Sequence, residues 1–315
     1  MHALSSSEER HRGNKWSVEL KILSNSRRYT TIVSPTLSVI IPTHKRAVIL
    51  RKCVEHLAAQ TIAKDIEVIV VSDGHDSETV KLMKEFSILN SQFSITFLEI
   101  EKSHQGVARN KGVMMAQAPR VLFIGDDILL NPDACELHVQ VNQQLLFLGH
   151  TTWDPAVGIT PVMRLLETSG WQFGYPMIER YAGNMLPKDI QHSFTYTSHI
   201  SLPTEVARKF PFREDVTLYG WEDIEWGWRL MKAGIGLLYE PRAKALHHHH
   251  ITLEDSLKRM ETIGRSARVI EKLNPELRVV PRGWKRLAYL CISALPTMKG
   301  KHAKAFLLPQ DLKQV

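Results

Sequence analysis

Between Leu37 and Ile124 the chain alternates four short apolar runs with three stretches of helical spacing. The runs are Leu37–Thr43, Ile66–Ser72, Ser94–Ile100 and Arg120–Ile124. They are nearly continuous in Val, Ile, Leu and Phe, which is the pattern of strands buried on both faces. Between them, Ala47–Gln60 places Val48, Leu50, Val54 and Leu57 at helical intervals, and Thr79–Phe86 and Gln105–Ala116 read the same way. Such alternation predicts an α/β fold with a mostly parallel sheet covered by helices on both faces. Sheets of this kind bind ligands beyond the carboxyl ends of their strands. Here those ends carry Thr43, His44, Arg46, Asp73, Asp126 and Asp127.

The second half is less regular. Trp171–Pro176, Phe194–Leu202 and Gly236–Tyr239 read as strands, and Trp221–Ala233 as a helix. A long amphipathic helix is expected over Leu253–Leu273, stopping before Asn274-Pro275 because a residue preceding proline disfavours helical geometry.

The formal charge of +7 invites a nucleic-acid reading until it is divided along the chain. Residues 1–36 hold six Lys and Arg against three Asp and Glu, and residues 278–315 hold eight against one. The middle, 37–277, holds 26 against 29 and is net acidic, so no nucleic-acid partner is expected. Three scattered cysteines form no metal spacing and no disulfide framework. The first 36 residues lack the apolar core of a secretory leader. A cytoplasmic protein is therefore expected.

Asp126-Asp127 directly follows an apolar strand. Paired carboxylates there suit a hard divalent cation bridging phosphates, and equally suit a capping turn. Gly-Asp-Asp between apolar runs is also the hairpin of template-directed polymerases, but the strand–helix alternation and acidic body speak against that. In Gly220–Leu230, Glu222 and Asp223 open a helix, where free N–H groups stabilise carboxylates. Trp221, Trp226 and Trp228 offer flat surfaces for sugar rings or for a core. His247–His250 is an internal run of four imidazoles, of which a metal site needs only one. Gly106 permits close backbone approach, and Arg109 is a fixed cation suited to a diphosphate or to a structural carboxylate.

Taken in order, these pieces resemble family 2 glycosyltransferases of the GT-A fold, a Rossmann-like, mostly parallel sheet with an acceptor-binding second half. The resemblance runs from about Leu37 to Leu273. It rests on Ser38–Arg46, Val70–Gly74, Gly106–Gly112, Phe123–Asp127, and Trp221–Asp223 with His247. It implies that Pro42, Thr43, Arg46, Asp73, Gly106, Arg109 and Asp126 hold the nucleotide-sugar donor. It implies Mn²⁺ or Mg²⁺ on Asp127 and His247, Asp223 as catalytic base, and Glu222 and Trp221 at the acceptor. Gly125 stands where the family usually has a carboxylate, and His199 where it often has Asn, which bears on sugar or acceptor specificity.

The expected reaction is inverting transfer of a sugar, UDP-linked by expectation, to a hydroxyl of a glycan or lipid-linked acceptor. Nucleotidyl transfer, or a non-catalytic binding relic of the fold, are the alternatives. The expected units are a basic extension (1–36), a catalytic domain (37–277, with halves 37–130 and 131–277) and a basic tail (278–315). The tail's apolar Trp284–Leu295 segment, flanked by lysines, suggests peripheral contact with the inner face of a membrane, or a helix packed on the domain.

Overall fold

The computed structural model describes residues 23–24, 34–89, 94–142, 144–216 and 219–307. The expected 1–36 extension lies outside them except for 23–24 and 34–36.

A two-residue strand β1 (Leu23–Ser24) precedes the alternating half. That half runs β2 (Leu37–Thr43), α1 (Ala47–Ala58), β3 (Ile66–Asp73), α2 (Ser77–Leu89), β4 (Ser94–Ile100), α3 (Gln105–Met115) and β5 (Arg120–Ile124). β4, β3, β2 and β5 pair in parallel in that order. Alternate residues feed opposite layers. Leu37, Val39, Ile41, Val68 and Val70 pack under α1 and α2, while Ile40, Ile69 and Val71 pack under α3. Both faces are therefore dry, which is why the runs are largely apolar. Among the polar residues within them, Ser38 and Glu67 satisfy each other at 2.5 Å and accept the N–H groups of Ala118 and Gln117. α3 lies so close to the sheet that a Cβ on Gly112 would sit 2.4 Å from Ile40 Cγ2.

Beyond β5 come β6 (Ile128–Leu130), α4 (Ala134–Gln140), β7 (Leu146–Trp153), α5 (Pro161–Ser169), α6 (Tyr175–Ile178), β8 (Asn184–Met185), β9 (His199–Pro203) and α7 (Thr204–Lys209). Then follow α8 (Glu222–Lys232), β10 (Leu237–His247), α9 (Leu253–Leu273), α10 (Gly283–Ser293) and α11 (Met298–Leu307). β9 enters antiparallel between β5 and β7, and β10 runs parallel to β7 and antiparallel to β6. The result is one mixed sheet in the order β1-β4-β3-β2-β5-β9-β7-β10-β6.

Three expectations are corrected here. Trp171–Pro176 is no strand, since Pro176 sits in the first turn of α6, where its fixed φ suits a helix start. Only the end of Phe194–Leu202 is extended, because Gln191–Phe194 forms a 3₁₀ turn. The short strand at Gly236–Tyr239 continues to His247 through an irregularity between Tyr239 and Lys244 that absorbs Pro241. β7 and α5 carried no signal that the sequence reading used.

Candidate functional site

The carboxyl ends of β2, β3 and β5, the start of α8 and the end of β10 converge on one cleft of about 710 Å³. Pro42, Thr43, Arg46, Asp73, Arg109, Asp126, Asp127, Trp221, Glu222, Asp223 and His247 all line it. Gly106 does not. It is buried in the first turn of α3, where an added Cβ would meet His104 and Phe212 at 3.1–3.3 Å. Its small size serves packing, and its neighbour Gln105 is the residue that faces the cleft.

At one end of the cleft, Asp126 and Asp127 occupy the turn between β5 and β6. Thr43 Oγ1 donates to Asp126 at 2.7 Å. Arg46 bridges both carboxylates, at 2.7 Å to Asp126 and 2.8 Å to Asp127. His247, the last residue of β10, is fixed by pairing to β6 on one side and β7 on the other. Its Nε2 lies 3.3 Å from Asp127 Oδ2, and Trp153 stacks on its ring at 5.0 Å. His249 Nδ1 reaches the same oxygen at 3.1 Å. The ligating atoms of Asp127, His247 and His249 all lie within 4.8 Å of one another.

His249 escaped the sequence reading because nothing in a run of identical residues says which of them turn inward. The structure separates them: His248 pairs with Asp154 at 2.6 Å, and His250 is exposed. The two histidines set the two carboxylates apart. Burial and the neighbouring Asp127 charge push Asp126 up to about 6 against the pull of Arg46. For Asp127 burial is outweighed by His247, His249 and Arg46, and its carboxyl is held well below the usual range.

One oxygen and two imidazole nitrogens, gathered round an ionised carboxylate, fit a divalent cation with coordination positions to spare. The imidazoles favour Mn²⁺ over Mg²⁺, which prefers an all-oxygen shell.

The opposite wall comes from α8. Gly220 and Trp221 take positive φ, 94° and 71°, and turn the chain sharply into the helix. The Trp221 indole N–H donates to Ile263 O on α9 at 2.9 Å, presenting the ring beside the carboxylates. Trp226 is buried in the core, and Trp228 lies outside the cleft with Lys232 over its ring. Of the three tryptophans, only Trp221 offers the cleft a flat surface. Glu222 accepts a hydrogen bond from Gln105 through Oε1, and its buried Oε2 has no partner. Arg109, also buried, touches Gln105 at 3.3 Å and leaves Nε and Nη1 unpartnered. Burial and the Glu222 charge push Asp223 up to about 7, against the pull of Arg109.

Asp73 ends β3, where burial is outweighed by hydrogen bonds from Lys102 (2.6 Å) and Ser103 N (2.7 Å), holding its carboxyl below the usual range. His199 faces away, fully buried under Thr151 and His138, with burial pushing it down to about 3. Thr197 and Ser198 line the cleft in its place, so His199 makes no contact from which to read specificity.

Residues 38–145 match the model of glycosyl transferase family 2. Over that third of its length the chain is similar to the family. The chain is 28% identical over 222 residues to the validoxylamine A glucosyltransferase of Streptomyces hygroscopicus subsp. jinggangensis, covering 64% of this chain and 52% of that one. It is 26% identical over 254 residues to the pre-mycofactocin glycosyltransferase of Mycobacterium tuberculosis, covering 76% and 48%. The chain thus spans about half the length or less of the curated relatives it matches.

Among solved structures it resembles the mannosyltransferase PcManGT of Pyrobaculum calidifontis, in complex with GDP-Man and Mn²⁺. The TM-score is 0.57 at 16% identity, covering 87% of this chain and 74% of that one. It also resembles S. aureus TarS 1–349 in complex with UDP (TM-score 0.51, 14% identity, 86% and 89% covered). These likenesses establish the GT-A fold.

Proposed function

We propose that this chain is a metal-dependent, inverting glycosyltransferase of family 2 that uses a nucleoside-diphosphate sugar, with UDP as the expected nucleotide. One observation carries the reading. A single cleft holds a triad with the spacing to take a cation, an arginine with unpartnered N–H groups and a carboxylate pushed up to about 7. That UDP occupies TarS, and GDP-Man with Mn²⁺ occupies PcManGT, supports the donor class.

In this reading Pro42, Thr43, Arg46 and Asp73 hold the nucleotide, and Asp126 faces the ribose or sugar. Asp127, His247 and His249 would hold Mn²⁺ or Mg²⁺, which when bound neutralises the departing diphosphate. The unpartnered guanidinium edge of Arg109 meets charge building on the donor. Asp223 takes the proton of the acceptor hydroxyl as its oxygen attacks the anomeric carbon and the carbon–diphosphate bond breaks. Glu222 and Trp221 orient the acceptor, a glycan or lipid-linked hydroxyl. Residues 37–277 form the catalytic unit in this reading, in the cytoplasm or at the inner face of a membrane, with 278–315 as an appended segment.

The test is incubation with a panel of sugar nucleotides and Mn²⁺. Release of nucleoside diphosphate is expected. Release of pyrophosphate would point to nucleotidyl transfer, and binding without products to a relic of the fold.

A further inference from the structure

The helix α10 has two apolar sides, and only one of them has a partner among the described residues. Ala288, Tyr289, Ile292 and Ser293 are half-buried, and Tyr289 meets Phe306 of α11 at 5.6 Å. The other side carries Trp284, Leu287, Cys291 and, just past the helix end, Leu295. They fall at positions i, i+3, i+7 and i+11, which is one stripe of a helix. Trp284 is 76% exposed, Leu287 63% and Leu295 52%, with Leu290 beside them at 47%. Isolated exposed apolar residues are ordinary, but a contiguous stripe headed by tryptophan is an interaction surface.

Charge selects the occupant. From Arg278 to Leu307 the sequence has seven Lys and Arg and no Asp or Glu. Arg278, Lys285, Arg286, Lys299, Lys301 and Lys304 are exposed, and Arg282, also exposed, pairs with Glu271 at 2.6 Å. Two copies meeting through this stripe would press two cationic segments together with no carboxylate between them. An anionic lipid surface supplies both what the stripe needs and what the flanks need. No helix among the described residues is long and apolar enough to cross a bilayer, so the segment would lie in the interface.

The hairpin is also tied to the cleft. His302 of α11 is hydrogen-bonded to Ser256 of α9 at 2.7 Å, and its ring meets Trp171 edge-on at 5.8 Å. A Cβ on Gly264 of α9 would lie 2.4 Å from Phe306 O. The same helix α9 presents Arg259 and Ile263 to the cleft, beside Trp171 and Trp221.

We propose that α10 is an interfacial anchor for anionic bilayers, which sets the acceptor wall of the cleft one helix away from the lipid surface. Only the acceptor clause rests on the glycosyl-transfer reading. The test is flotation of the full chain with phosphatidylcholine vesicles, with and without phosphatidylglycerol. The chain is expected to float with the phosphatidylglycerol vesicles alone, and less at high salt. Combined Trp284→Ser, Leu287→Ser and Leu295→Ser, all at exposed sites, should weaken this more than about tenfold with an unchanged thermal melt. The same variant should hydrolyse the donor at the wild-type rate.

Absence of flotation, or flotation undiminished in the triple variant, overturns the proposal. So does a dimer in solution that the triple variant dissolves while neither protein binds vesicles. If no sugar nucleotide is turned over but flotation persists, the glycosyl-transfer reading falls and the anchor stands.

Discussion

Asp223 is the residue on which the proposed chemistry turns, and its surroundings set a measurable pH dependence. Burial and Glu222 raise its carboxyl to about 7, so it gains its base form as pH rises through that value. The log of kcat/KM, which reports the free enzyme, should climb with unit slope below about 7 and level off above it. Asp223→Asn removes the base and should lower kcat by about 10²–10⁴-fold while leaving donor affinity intact, as read by calorimetry. Transfer at the wild-type rate by a folded Asp223→Asn protein would sink the assignment. His249 makes a second case, because its neighbours in the run are built-in controls. His249→Ala should weaken Mn²⁺ binding by about tenfold or more, while His250→Ala, at an exposed site, should leave it unchanged. Equal effects at both positions would remove His249 from the site.

At the scale of elements, the tightest constraint is the seat of α3 on β2. Alanine in place of Gly112 gains about 1 kcal/mol of helix propensity. Its Cβ, however, would lie 2.4 Å from Ile40, whose side chain is fully buried and has nowhere to go. Overpacking of this kind costs about 1–3 kcal/mol. The expected net effect of Gly112→Ala is a lower melting temperature, and a rise would show that the helix shifts freely on the sheet.

The same elements explain what was legible beforehand. β2 to β5 are buried on both faces, so their composition alone announces them. The ends of those strands follow directly, which is why Asp73, Asp126 and Asp127 were readable. Pro241, a strand breaker that the structure accommodates at an irregularity, hides most of β10, so the sequence announces only the first few residues of the strand that delivers His247. Trp171–Pro176 shows the reverse error, since an aromatic run with a proline that opens a helix mimics an extended segment. Gln105 and Gly106 show the finest limit. Adjacent residues in the first turn of a helix point in different directions, and only coordinates say which one meets the cleft.

At the scale of the molecule, the basic C-terminal segment and the cleft occupy different regions joined by one helix. α9 is capped by the reciprocal bonds of Thr252 and Asp255, carries α11 along its length and lends Arg259 and Ile263 to the cleft. Truncation after Arg278 uncovers the α9 face that Phe306 and His302 occupy. It should lower the melting temperature by roughly 5–10 °C. An unchanged melt would mean that α11 contributes nothing to the body it packs against.

The bridge from Arg46 to Asp126 and Asp127 has a consequence for an enzyme that cycles between loaded and empty states. A chelator or a departing product can carry a metal ion away, but neither can remove a guanidinium bonded into the chain. Two adjacent carboxylates, otherwise obliged to repel each other or take up a proton, have a tethered counter-ion in the chain itself. In the proposed reaction, that counter-ion would hold the pair in place between one donor and the next.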